Sequence, residues 1–218
     1  MKKVIVLLSI VLLLTGCSFH KLDNDNISRN IKVLLSEKTK LHNVYYDGYK
    51  YYLPKGMMFL TKDEYNALLK DSNNNKYYLY VDAISYYHKV ENSYQVNESS
   101  HFSKLLNYNK KNGYIQIDEK NGKFYIQFVF QYVKMETCIE KEYLTDAINY
   151  MCLILRSVKF NDKVLESLIG ENILDYKEEE YSLFKADSSK ESFLDVVERE
   201  ETDLYKKDIE DEKIELYE

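Results

Sequence analysis

Apolar residues recur along this chain with a period that changes from helical to extended and back. Val4 to Leu14 is an apolar run broken only by Ser9, and Ser18 to Asn26 is polar. Ile27, Ile31, Leu34 and Leu35 then return at helical spacing with Asn26 placed to cap them, which predicts a short amphipathic helix to about Glu37. Val44 to Leu60 is rich in aromatic β-formers and punctuated by Asp47-Gly48, Pro54 and Gly56, so it reads as two or three short strands. Asp63 to Lys70 reads as a helical stretch closed by a polar turn at Asp71 to Asn75. Tyr77 to His88 reads as one central strand, because both of its alternating faces are apolar. Asn92 to Asn112 is polar and poorly periodic apart from Phe102, Leu105 and Leu106, and is expected to be a loop with one short helix.

The strongest local signal follows. Asn121-Gly122 lies between two alternating runs, and both residues tolerate the positive φ of a type I′ turn, so a long hairpin is expected from Gly113 towards Thr137. Phe124, Ile126, Phe128 and Phe130 share the face that should be core. Leu144, Ala147, Ile148, Met151, Cys152 and Leu155 are spaced as one helix face over about Lys141 to Arg156. Ser157 to Phe160 should be a last strand, and Asn161 or Asp162 can cap a final helix stopped by Gly170. The predicted class is α+β: a twisted antiparallel sheet packed by helices, with a charged helical C-terminal extension.

Composition sharpens the division of the chain. It has 218 residues and a net charge of −6, which argues against a nucleic-acid partner, since phosphate recognition needs a basic face. The charge is unevenly placed: residues 171–218 hold 18 acidic and 7 basic residues, a net of −11 that leaves +5 for residues 1–170. Ser188 and Glu191 stand at capping-box spacing ahead of Phe193, Leu194, Val197, Leu204 and Tyr205, so the tail should be partly helical. It serves either as a solvated helix, or as a docking segment for a basic partner or for the rest of this chain. The expected organisation is a leader at 1–16, a polar tether at 17–26, one domain at 27–170 and the acidic tail at 171–218.

Met1-Lys2-Lys3, the apolar run and Leu14-Thr15-Gly16-Cys17 together have the layout of a signal peptide. These eleven residues rise only about 16 Å as a helix, roughly half a bilayer core, so the run is too short to be a membrane-spanning anchor. Leu14-Thr15-Gly16-Cys17 resembles the lipobox of bacterial prolipoproteins. The resemblance implies cleavage between Gly16 and Cys17, a diacylglycerol on the Cys17 thiol, and residence at the cell membrane, lipid-anchored on its extracytoplasmic face. The chain also resembles small lipoproteins of Gram-positive bacteria, which implies location without activity. Tyr49 to Gly56, Tyr114 to Val133 and Leu144 to Phe160, in that order, resemble PsbP-like domains over about Val44 to Phe160. That likeness implies a binding or assembly module and transfers no site residue.

Candidate chemistry is sparse. His20, His42, His88 and His101 are scattered, so no metal site and no cofactor are expected. There is no Gly-x-Ser-x-Gly, P-loop or dinucleotide fingerprint among the six glycines. Cys138 ends a strand while Cys152 lies well inside the next helix, which predicts two buried thiols instead of a disulfide. Tyr45, Tyr46, Tyr49, Tyr51, Tyr52, Tyr78 and Tyr80 could form an aromatic binding face or simply pack the sheet. Asp82, alone on an apolar run, either marks a strand end or serves such a face. The functional expectation is a non-enzymatic binding or assembly module of the cell envelope, held by lipidated Cys17 and contacting an envelope protein. The alternatives are a small-molecule or glycan-binding lipoprotein, or a hydrolase with an unrecognised site; some 144 residues are too few for a two-lobed transport receptor.

Overall fold

The computed structural model describes residues 24–90 and 93–170. Helix α1 (Asn24–Ser36) leads into β1 (Val44–Tyr45), β2 (Tyr49–Tyr51), β3 (Met58–Lys62), β4 (Asn66–Lys70) and β5 (Lys76–Val81). After α2 (Ala83–His88) come four consecutive strands, β6 (Phe102–Tyr108), β7 (Lys111–Lys120), β8 (Lys123–Phe130) and β9 (Val133–Glu140). A 3-10 turn at Lys141–Tyr143 opens α3 (Leu144–Ser157), and β10 (Lys159–Phe160) and α4 (Asp162–Gly170) follow. Seven strands form one antiparallel sheet in the order β3-β4-β5-β9-β8-β7-β6, and β1-β2-β10 form a small second sheet. The fold is therefore α+β.

Alternation assigns the two faces of the large sheet. Leu79 of β5, Met135 of β9, Phe128 of β8 and Ile115 of β7 stand in one register row, and all are buried in the main core. Helices α1 and α3 cover this face: Ile27, Ile31 and Leu35 meet Ile148, Met151, Cys152 and Leu155 above the strands. Arg156 ties the two helices together, donating from one guanidinium nitrogen to the Leu34 carbonyl at 2.8 Å and to the Glu37 carboxylate at 2.7 Å.

Several expectations are corrected. Asp63 to Lys70 is not helical, since Asn66–Lys70 is strand β4 between β3 and β5. Ala67, Leu68 and Leu69 are all buried because both faces of β4 are covered, and a short continuous apolar run does not distinguish helix from strand. The expected loop and helix near Phe102 is the edge strand β6, paired with β7 from Phe102↔Ile117 to Tyr108↔Lys111. Only Phe102 and Leu106 bury, a spacing of four that suits either element, and Lys104 between them reaches over to donate to the Ser28 hydroxyl on α1. Tyr77–His88 breaks at Asp82, which ends β5 and caps α2 by accepting from the Ser85 amide at 2.8 Å. The run from Lys123 towards Thr137 turns back at Gln131 and Tyr132, both at positive φ (53° and 64°). Asn26 also lies within α1 instead of ahead of it.

The Asn121-Gly122 hairpin, the face of Phe124, Ile126, Phe128 and Phe130, the α3 face and the final helix stand as predicted, while the last strand is shorter than expected, Lys159–Phe160, because Ser157 still belongs to α3. Cys138 and Cys152 carry thiols without a disulfide. Cys152 lies on the buried face of α3, and burial pushes its thiol well above the usual range. Cys138, predicted buried, is instead half-buried: strand alternation turns it to the opposite sheet face, with Glu136. The leader, the tether to residue 23 and the acidic tail lie outside the described residues.

One polar group anchors the β4–β5 connection. Asp71, 2% exposed, accepts from the amides of Asn73 and Asn75 at 2.8 and 2.9 Å, and from the Asn75 side chain and the Tyr77 hydroxyl, each at 2.9 Å. Asp71→Ala orphans these donors and is expected to cost about 3 kcal/mol. Urea denaturation should give a lower midpoint at unchanged slope; an unchanged midpoint would contradict the role.

Candidate functional site

Three chain reversals meet at one end of the large sheet. The β5–α2 corner brings Asp82, Ser85, Lys89 and Val90, the β6–β7 turn brings Lys110, and the β8–β9 turn brings Gln131 and Tyr132. The tight hairpins follow from two-residue loops whose residues are all at positive φ: Asn109 and Lys110 (53° and 62°), then Gln131 and Tyr132. Lys89 closes α2 in the same left-handed region, at 56°. Five of the seven non-glycine residues at positive φ among those described therefore surround this spot. Each costs of order 1 kcal/mol, and such strain concentrates where a site is being shaped.

Backbone bonds staple the three reversals. The Asp82 amide donates to the Tyr132 carbonyl at 2.8 Å, and the Gln131 amide donates to the Asn112 carbonyl at 3.0 Å. Between them opens a cleft of about 700 Å³ on the sheet face opposite α1 and α3. Its floor is the register row Tyr80–Lys134–Val129, and Lys111 begins β7 beside it.

Charge sets the cleft's chemistry. Among the described residues, Lys89, Lys110, Lys111 and Lys134 line it against one acid, Asp82, whose carboxylate already serves the Ser85 amide. Lys134 shares its charge with Glu136 at 3.8 Å, a carboxylate 1% exposed that also accepts from the Gln127 side chain at 2.8 Å. The Lys89 ammonium sits 3.8 Å from the centre of the Tyr86 ring. Burial holds the Lys111 amine below the ordinary lysine range, since a desolvated ammonium is disfavoured. An anion entering this cleft would meet several cations and would return to Lys111 the stabilisation it lacks. The cleft can thus hold anionic groups.

The sheet face next to the cleft is polar and aromatic. Tyr94 stacks on Tyr114 at 3.8 Å and donates to Gln116 at 2.9 Å; Tyr114 donates to Gln127 at 3.0 Å, and Gln127 in turn to Glu136. These links fix side-chain orientation along the face.

The residues singled out from the sequence fall into two places. Tyr78, Tyr80 and Asp82 lie on or beside this face; Tyr80 and Asp82 line the cleft, while Tyr78 is buried and donates to Asn66. Tyr45, Tyr46, Tyr49, Tyr51 and Tyr52 belong to the small sheet and its flanks. There Tyr46 stacks on Tyr49 at 4.8 Å, and Tyr49 and Tyr51 are buried. Tyr45 is 65% exposed, its hydroxyl donating to the His42 carbonyl at 2.9 Å, and the Tyr52 amide donates to Ser157 Oγ at 2.9 Å. The lysines were missed because they come from three separate segments, at Lys89, Lys110-Lys111 and Lys134, with no spacing motif. The available signal was Asn109-Lys110 between the strand-like residues before it and the hairpin after it, a positively charged two-residue turn. Among the described residues no three His, Cys, Asp or Glu converge as a metal site would require, and no helix is long and apolar enough to cross a membrane. Gly16 and Cys17 lie outside the described residues.

No curated protein matches the chain. Residues 1–18 match the family described as the prokaryotic membrane lipoprotein lipid attachment site, which contains Leu14-Thr15-Gly16-Cys17. Residues 1–18 accordingly carry a prokaryotic lipoprotein lipid attachment site, which supports a bacterial lipoprotein held to the membrane through a lipidated cysteine.

Proposed function

We propose that this lipoprotein stands on the extracytoplasmic face of the membrane as a non-enzymatic binding module of the cell envelope, and that the lysine-lined cleft is its recognition site. The observation that carries the reading is the convergence of Lys89, Lys110, Lys111 and Lys134 in one cleft. The described acids close to it already have structural partners: Asp82 caps α2, and Glu136 accepts from Gln127 and neighbours Lys134. Such an arrangement suits holding an acidic surface better than moving protons. A PsbP-like relationship for the domain accords with helices packed on one face of an antiparallel sheet.

In-cell cross-linking followed by capture of the lipidated protein should recover an envelope protein. Lys89→Glu with Lys110→Glu, both on exposed side chains, should reduce that recovery about tenfold or more, the loss expected when charge pairs are reversed. Equal recovery by the variant, or none by the parent, would refute the reading. The cleft volume also favours a second occupant, a small anionic molecule or an acidic glycan, because ligand sites commonly span roughly 300–1,000 Å³. Calorimetry with such compounds separates the two.

A further inference from the structure

The start of the last described helix lies beside the cleft. Helix α4 packs against α2, and the Tyr86 hydroxyl donates to Asp162 at the start of α4 at 2.6 Å. The same Tyr86 ring carries the Lys89 ammonium on its face. From there α4 runs nine residues, about 13 Å, to Gly170. Residues 171–218 continue the chain with 18 acidic and 7 basic residues, and their densest early acidic run is Glu178-Glu179-Glu180. Eight residues from Gly170 reach at most about 28 Å extended, about twice the length of α4 back to Asp162.

We infer that Glu178-Glu179-Glu180 of the acidic tail seats in the cleft against Lys89, Lys110 and Lys111. Charge complementarity selects this occupant: three consecutive carboxylates face three lysines that have no carboxylate within ion-pair distance among the described residues. Tethering favours it further, since a segment joined by a short linker acts at roughly millimolar effective concentration against any acidic partner arriving from solution. The depressed ammonium of Lys111 is the group that gains most when a carboxylate arrives. The tail thereby acts as a resident occupant that an external ligand must displace.

The test uses the intact mature chain. Zero-length carbodiimide coupling should form isopeptide links from Lys89, Lys110 or Lys111 to Glu178-Glu179-Glu180, read by peptide mass spectrometry. The links should disappear near 1 M salt, where screening acts within about 3 Å. In the chain carrying Glu178→Gln, Glu179→Gln and Glu180→Gln, acylation of the three cleft lysines should rise about threefold or more over the parent near pH 8, where a small neutral amine fraction reports protection. The exposed Lys32 and Lys159 should keep their rates. Equal cleft-lysine rates in parent and variant would overturn the inference. So would links found only between chains of different isotope label, which would assign the occupant to a second copy. Failure here leaves the recognition of an envelope partner standing, because partner capture is a separate measurement.

Discussion

Cys17→Ser is expected to abolish membrane anchoring altogether. Attachment of a diacylglycerol requires a nucleophilic sulfur, and a serine hydroxyl, ionising far above physiological pH, cannot replace a thiolate in forming the bond. The energetic consequence is large because each buried methylene contributes about 0.8 kcal/mol, so two acyl chains hold a protein durably where one holds it only marginally. The leader's apolar run spans only about half a bilayer, and among the described residues no helix is long and apolar enough to cross one. The variant should lose incorporation of labelled fatty acid and leave the detergent phase on partitioning. Retention of label would mean that another residue is acylated, contrary to the lipid attachment site at residues 1–18.

The second large effect lies in the sheet. At Gly113 a Cβ would stand 2.1 Å from the Val129 carbonyl oxygen and 2.8 Å from the Phe130 Cα, both backbone atoms of the neighbouring strand. A flexible side chain could swing away from such a contact; a paired strand cannot. Gly113→Ala must therefore part β7 from β8 where Gly113 pairs with Phe130, beside the fully buried Phe128 and Phe130. The expected cost is about 3 kcal/mol or more, the upper range of overpacking effects. Gly122→Ala is the contrast: its φ is 78° but nothing lies within 4 Å of the added atom, so only the conformational cost of about 1 kcal/mol applies. Equilibrium denaturation of both variants should rank them in that order. Equal stabilities would mean that β7 and β8 do not pair in this register.

What could be read from the sequence was what local chemistry decides. Asn121-Gly122 announces its turn because both residues accept positive φ, and the α3 face announces itself because six apolar residues keep one helical stripe. Asp82 stood out as a carboxylate between apolar residues, yet the strand was read through it to His88, whereas it ends β5 and accepts from the Ser85 amide. The misread segments are those where tertiary pairing decides. Ala67-Leu68-Leu69 becomes strand because β3 and β5 lie on either side, and β6 becomes strand because β7 offers it an edge. Gln131-Tyr132 makes a tight turn without any residue that prefers one, so only the pairing of β8 with β9 imposes it. The candidate site fared likewise. Tyr80 and Asp82 are neighbours in sequence and could be suspected together, whereas Lys89, Lys110, Lys111 and Lys134 meet only after three reversals have formed.

The strand order also bears on how the chain reaches its native state. β3-β4-β5 and β6-β7-β8-β9 are each built from neighbours in sequence, so each block can assemble through short loops. Their only junction within the large sheet is β5 against β9, where Tyr77 meets Thr137 some sixty residues later. Closing that seam carries the largest entropic penalty of any strand pairing in this sheet, and β10 reaching back to β2 lengthens the list of late contacts. Assembly should thus proceed as two early local modules and one slow docking step. The cleft forms only at that step, because its Asp82 and Lys134 come from opposite sides of the seam.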